Sequence, residues 1–218
     1  MRDLLPSTVA VAVAGPGDWA AELLPAEQAC LGERAARTRR RDFIAGRVCA
    51  RRALTDLGLS PTAVPAAADR APVWPVGVVG SITHTAGYCA AAAAHSTDIR
   101  SVGLDAEQHR EVNPGVRRLV LLPEEEADCA RLPSGTHWPV VLFSAKETVY
   151  KVWYPIVRSW LDFHDARLEL DPDGGTFTAR IAPARVDAAT AEDAPAWITG
   201  RFVVADGLVR TAAVLAQR

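Results

Sequence analysis

No CxxC pair occurs in this chain, and no Cys/His spacing of a zinc site. The four cysteines, Cys30, Cys49, Cys89 and Cys129, are scattered along it. That excludes a disulfide framework and a structural zinc module, and reads the cysteines as small buried residues in a reducing compartment. Long hydrophobic runs are missing too. The apolar stretch from Val9 to Ala14 is too short to span a bilayer and follows an acidic, proline-broken start, so it reads as a strand and the protein as cytoplasmic, with no membrane partner. Nor is there an excess of positive charge. Lys and Arg number 24 against 26 Asp and Glu, a net charge of -2, which argues against a nucleic-acid footprint and confines any anion site to a local cluster. Internal repeats are absent as well.

What is present suits a globular α/β or α+β chain. Its 218 residues are 49% hydrophobic and 23% charged, enough to bury a core as one domain or two small lobes. Residues 31–57 are rich in Ala, Arg and Leu, lack proline, and stop at Gly58 followed by Pro61, the pattern of a long helix. Beyond a Pro/Ala-rich connection, VGVVGSITHTAGYCAAAAA reads as a strand, a polar glycine-containing turn and a second strand, and IRSVGLDAE as a third. The first lobe is expected to close near Arg100, giving 1–100 and 101–218. In the second lobe Pro123 opens a helix whose Glu124, Glu125 and Glu126 suit the dipole of an N-terminus. A helix from Pro139 to Tyr154, stopped by Pro155, comes next. Two hairpins follow, the second around Asp206-Gly207, a strong two-residue turn signal.

Three clusters carry chemistry. In SVGLDAEQ, Asp105 and Glu107 are two apart, so on a strand their carboxylates leave one face. They read either as a solvated strand end or, with Glu147 as a third, as oxygen ligands of a hard cation such as Mg²⁺. On the first long helix stand Arg39, Arg40, Arg41, Arg47, Arg51 and Arg52. Arg39 and Arg47 fall on about one side, and their planar forks suit a phosphate; the alternative is a soluble, exposed helix. Third is SITHTAG, with Thr83 and His84 in a turn. The run LFSAKETVYKVW adds Lys146, Glu147 and Lys151 beside an apolar stripe, where Glu147 and Lys151 also read as a plain i,i+4 ion pair. Phosphate-gripping cations and metal-gripping carboxylates in one small chain describe a site for a pyrophosphate substrate.

The runs RRRDFIAGRVCARRAL, WPVGVVGSITHTAGYCAA, SVGLDAE and FSAKETVYKVWYP, in this order and spacing, resemble the 4'-phosphopantetheinyl transferases of the Sfp/EntD type, especially their short actinobacterial members. The resemblance covers roughly Arg39 to Trp160. It implies two similar α/β lobes related by a pseudo-twofold, with coenzyme A between them, and transfer of the 4'-phosphopantetheine arm to a serine of an apo acyl or peptidyl carrier protein, releasing adenosine 3',5'-bisphosphate. Fatty-acid, polyketide, nonribosomal-peptide and siderophore carriers all fit. It implies Asp105, Glu107 and Glu147 as ligands of Mg²⁺ or Mn²⁺, Lys151 on the α-phosphate, and Asp105, Glu147 and Lys151 as the catalytic set. Thr83, His84, Arg47 and Arg39 would hold the coenzyme A phosphates, with Lys146 lining the same site. Where the family carries a Gly-Lys-x-Pro-like segment this chain has ADRAP, so Arg70 stands as the substitute for that lysine.

A carrier protein, typically an acidic helical bundle, would dock on a locally basic or apolar surface, for which Trp153, Tyr154, Arg158 and Trp160 are candidates. Trp153 and Trp160 also read as core. Two other classes share these residues: a Mg²⁺-dependent phosphohydrolase or nucleotidyl enzyme, and a non-catalytic coenzyme A-binding module. The family's habit at this length is a monomer.

Overall fold

Five consecutive alanines, Ala90–Ala94, set the architecture of the first half. They form the middle of β3 (Tyr88–His95) and are fully buried, so β3 is a central strand able to take close neighbours on both faces. In the computed structural model, which describes residues 1–32, 35–183 and 192–217, β3 pairs antiparallel with β1 (Ala10–Val13) and β2 (Val78–Thr85) in the order β1-β3-β2. The short helix α1 (Pro25–Gln28) precedes the long helix α2 (Arg37–Asp56). Cys49, Ala50, Ala53 and Leu54 of α2 share a core with Ala12, Val78, Ala91 and Ala93 of the sheet. Residues with small side chains on both partners permit this close seating.

The chain divides into two compact units. One is Met1–Val102 joined by the last residues from Ala216; the other is Gly103–Leu215. The second is built around α5 (Trp138–Val157), whose Val141, Ala145, Val149, Val152 and Trp153 are fully buried at the i, i+4, i+8 spacing of an inward stripe. They pack on Leu168, Phe177, Ala179, Ile198, Val209 and Ala213. These come from a five-stranded sheet in the order β4-β8-β7-β6-β5, with β4 at Ile99–Gln108, β5 at Ala166–Asp171, β6 at Thr176–Ile181, β7 at Trp197–Ala205 and β8 at Leu208–Ala216. Asp206 and Gly207 both adopt positive φ, 55° and 70°, as the two-residue hairpin between β7 and β8 demands. Two short helices, α3 (Pro114–Val120) and α4 (Pro123–Cys129), complete this unit.

Several sequence expectations change. The first long helix begins at Arg37 and not at Leu31, and residues 33 and 34 lie outside the described residues. Pro155 does not stop α5, which runs to Val157. In the final turn proline forfeits only its own bond to the Lys151 carbonyl. The buried Trp153 and Val157 hold that turn in place, and Arg158, at φ 54°, caps it with an N–H to the Tyr154 carbonyl. Helix α3 was not expected, although Asn113 capping Gly115 at 2.8 Å with Pro114 at the first helical position is a local start signal. All four cysteines are free, and Cys30 is only half-buried. Among the described residues no helix is long and apolar enough to cross a membrane.

Candidate active site

Gly103 brings the acidic strand to the helix. A Cβ at this position would stand 2.3 Å from the Thr148 carbonyl oxygen and 2.8 Å from Cγ2 of Val152, so only glycine lets β4 lie against α5 at this depth. Gly103→Ala is therefore expected to cost about 1–3 kcal/mol by overpacking, read as a fall in the denaturant midpoint with an unchanged slope; a midpoint equal to that of the parent chain would mean that strand and helix separate at no cost.

Two residues on, Asp105 is 4% exposed. Its Oδ1 accepts a hydrogen bond from Lys151 Nζ at 2.8 Å and its Oδ2 one from Ser144 Oγ at 2.8 Å. Lys151 Nζ also donates to the Leu104 carbonyl at 2.9 Å. Lys151 thus pairs with Asp105 and not, as the i,i+4 reading had it, with Glu147. Ser144, Thr148 and Lys151 recur at i, i+4 and i+7, one polar line along an otherwise apolar helix.

Glu107 and Glu147 are half-buried, and neither carboxylate has a hydrogen bond or ion pair among the described residues. Burial, with the charges of Asp105 and Glu147, pushes the Glu107 carboxyl up to about 7 against relief from Lys151 and Arg110. Burial likewise raises Glu147, with Asp105 adding to the rise and Lys151 opposing it. A proton is then held more tightly on Glu107 in the folded chain than in the unfolded one. Its stabilising contribution is complete below about 4.5 and disappears as pH rises through about 7. The metal-free chain should accordingly lose stability across that interval, and Glu107→Gln should flatten the slope; an unaltered slope in the variant would assign the effect to another group.

Half-buried carboxylates without donors are hard oxygen ligands that a divalent cation would relieve, and so suit Mg²⁺ in kind. Among the described residues, no three His, Cys, Asp or Glu side chains are grouped as a complete metal cage. Mg²⁺ keeps water and substrate phosphate as ligands and needs only one or two carboxylates, so the donor set fits it without such a cage.

Lys146 departs from the expectation of a phosphate ligand. Its ammonium donates to the carbonyls of Val120 at 2.9 Å and Phe163 at 2.7 Å and pairs with Glu125 at 2.8 Å. Three donors meet three acceptors, and the residue is 3% exposed, which leaves no hydrogen for a ligand. Burial lowers its pKa, and Glu125 opposes that shift. Glu125 also receives the backbone N–H groups of Leu122 and Leu168 at 2.8 Å each. The acidic run of α4 therefore caps its own helix, and its middle member anchors α5.

In the first unit, Arg47 is 6% exposed. Its Nε donates to the Val64 carbonyl at 2.7 Å and its guanidinium lies 4.0 Å over the Phe43 ring; the remaining N–H groups carry no hydrogen bond among the described residues. Burial lowers its pKa, with Glu27 acting against it. Arg39 is exposed on the same helix. Arg51 pairs with the buried Glu27, and Arg52 with Asp18 at 3.0 Å, so these two are structural. Thr83 and His84 lie on β2 and not in a turn; the turn is Ala86-Gly87, with Gly87 at φ 75°. Strand alternation buries Thr83 and exposes His84, whose Nδ1 is 3.7 Å from Asp42. Arg70 is exposed at φ 70°. Trp153 is core, while Trp160 is 68% exposed and leans on Tyr150, which stacks on Tyr154 at 5.5 Å between centroids.

Sequence reasoning missed Ser144, Glu125 and Thr211 as partners of site residues. Ser144 was legible from its place on the polar line of α5, but Thr211, on β8, carries no local signal.

Two family models match the chain: the 4'-phosphopantetheinyl transferase N-terminal domain over residues 26–94 and the 4'-phosphopantetheinyl transferase superfamily over residues 101–205. Among curated proteins, the chain is 43% identical to the 4'-phosphopantetheinyl transferase Svp of Streptomyces mobaraensis, covering 92% of this chain and 82% of the relative. It is 41% identical to the transferase PptT of Mycobacterium tuberculosis over 87% and 85%. Enterobactin synthase component D of Salmonella typhi is 33% identical over 55% of this chain and 50% of its own length.

Proposed function

Because this chain belongs to the 4'-phosphopantetheinyl transferase family, we propose that it moves the 4'-phosphopantetheine arm of coenzyme A onto a serine hydroxyl of an apo acyl or peptidyl carrier protein. The serine oxygen bonds to the phosphorus that bears pantetheine, and the bond from that phosphorus to adenosine 3',5'-bisphosphate breaks. The serine proton leaves to a base. The observation that carries this reading is the pairing of Asp105 with Lys151 beside two half-buried carboxylates that have no donor among the described residues.

Asp105, Glu107 and Glu147 would hold the divalent cation, Mg²⁺ or Mn²⁺. When bound, the cation supplies Lewis-acid neutralisation of the pyrophosphate charge. Lys151 spends two of its ammonium hydrogens on Leu104 and Asp105 and keeps one for the α-phosphate, where negative charge grows as the leaving group departs. Asp105 already accepts from Lys151 and Ser144, so both of its oxygens are engaged. Glu107 and Glu147, which have no hydrogen-bond donor among the described residues, keep lone pairs from which the serine proton can be accepted, directly or through a water.

Arg47, Arg39, Thr83, His84 and Arg70 are assigned to the coenzyme A phosphates. Arg47 is the strongest member, since its Nε anchor pre-orients the N–H groups that remain. Exposed Trp160 with Tyr154 and Arg158, whose guanidinium lies 5.8 Å over the Tyr154 ring, offers an aromatic and cationic surface for an acidic carrier. The chain acts as a cytoplasmic monomer in this reading.

Product analysis tests the reaction. Adenosine 3',5'-bisphosphate should appear only when apo carrier is supplied, in a one-to-one ratio to modified carrier. Its release from coenzyme A without a carrier would indicate a hydrolase instead.

A further inference from the structure

Behind Asp105 lies a run of buried hydroxyls. Ser144 and Thr148 of α5 and Thr211 of β8 are all fully buried. Ser144 Oγ is 2.9 Å from Thr211 Oγ1, which is 2.7 Å from Thr148 Oγ1 and 3.0 Å from the Ser144 carbonyl. We propose that these hydroxyls form a one-way donor chain that fixes the Asp105 carboxylate for transfer, which makes Thr211 and Thr148 positioning residues of the reaction. The inference rests on the transferase reading above.

Proton counting sets the direction. Each hydroxyl has one hydrogen to give. Ser144 gives its hydrogen to Asp105 Oδ2, so at the contact with Thr211 it can only accept. Thr211 therefore donates, toward both the hydroxyl and the carbonyl of Ser144, and has nothing left for Thr148. At that last contact Thr148 is the donor. All three O–H dipoles point along the chain toward the carboxylate, and aligned hydrogen bonds polarise one another in a dry interior.

Burial gives the chain its effect. With Ser144, Thr148 and Thr211 fully enclosed, bulk solvent does not reach these hydroxyls, and their hydrogen bonds are made to one another and to protein groups. Asp105 is gripped at both oxygens, by Lys151 on one and by the relay on the other, so the plane of the carboxylate is set from opposite sides. Thr211 lies past residue 205, where the family match ends. A valine there would fill the same space without needing partners, so packing alone does not call for threonine.

The test is Thr211→Val, with Thr211→Ser as its conservative counterpart. Thr211→Val should lower kcat for carrier modification about 10- to 100-fold, with little change in the KM for coenzyme A. Its dissociation constant for Mn²⁺, followed by the paramagnetic resonance of the free ion with coenzyme A and no carrier present, should rise by a similar factor. Thr211→Ser should recover most of both. If Thr211→Val folds, with a lower melting point but parental kcat and Mn²⁺ affinity, the network is packing only and the proposal fails. Should Thr211→Val not fold, Thr148→Val is read by the same two measurements and the same criterion. A parent chain that binds Mn²⁺ yet modifies no carrier defeats the transferase reading, while the Mn²⁺ comparison between variants still decides the relay.

Discussion

Asp105→Asn is expected to lower carrier modification about 100- to 1,000-fold while the chain stays folded. The amide keeps the volume and can still accept from Ser144 through its oxygen, but its NH2 group then meets the Lys151 ammonium, donor against donor. Lys151 loses the counter-charge that holds it at 2.8 Å, and the half-buried Glu107 and Glu147 lose their third anionic partner for a cation. The loss should fall on kcat more than on the KM for coenzyme A, since Arg47, Arg39, Thr83, His84 and Arg70, assigned to the coenzyme A phosphates, are left unchanged. Steady-state kinetics on a carrier protein, with circular dichroism as the fold control, decides the matter; near-parental turnover would remove Asp105 from the reacting centre.

The second large effect concerns stability. Lys146→Met should destabilise the chain by about 3–5 kcal/mol, because it leaves the fully buried Glu125 charged with no cation opposite it. For a chain of this size that corresponds to a fall of about 6–20 °C in melting temperature. Two carbonyls, of Val120 and Phe163, lose their donor at the same time. Adding Glu125→Gln to Lys146→Met should restore part of the loss, since an uncharged side chain at 125 can still accept from Leu122 or Leu168. A single variant that melts within a degree or two of the parent would show that Lys146 is not the anchor of α5.

This contrast explains what was legible in advance. The β7–β8 hairpin was readable because Asp206-Gly207 supplies positive φ at both central positions, a demand confined to two residues. Helix α5 was readable from its stripe, and the D-x-E strand from alternation. What Lys146 touches was not, because its acceptors come from α3, α4 and the turn at Phe163. Nor was the Asp105–Lys151 pair: helix spacing favoured Glu147, and only the close approach allowed by Gly103 offers the nearer carboxylate. Thr83 and His84 were assigned to a turn because small polar residues surround them, yet strand pairing with Ala90 and Cys89 extends to Thr85 and moves the turn two residues on. Thr211 was invisible because its importance lies in what β8 stands beside.

The most direct test of the central claim is intact-protein mass spectrometry of an apo carrier protein incubated with this chain, coenzyme A and Mg²⁺, with a parallel sample containing EDTA and another in which the carrier serine is alanine. The predicted result is a gain of one phosphopantetheine on the serine carrier with Mg²⁺, and none in either control. An unmodified carrier across acyl and peptidyl types, with a folded chain that binds coenzyme A, would contradict the account.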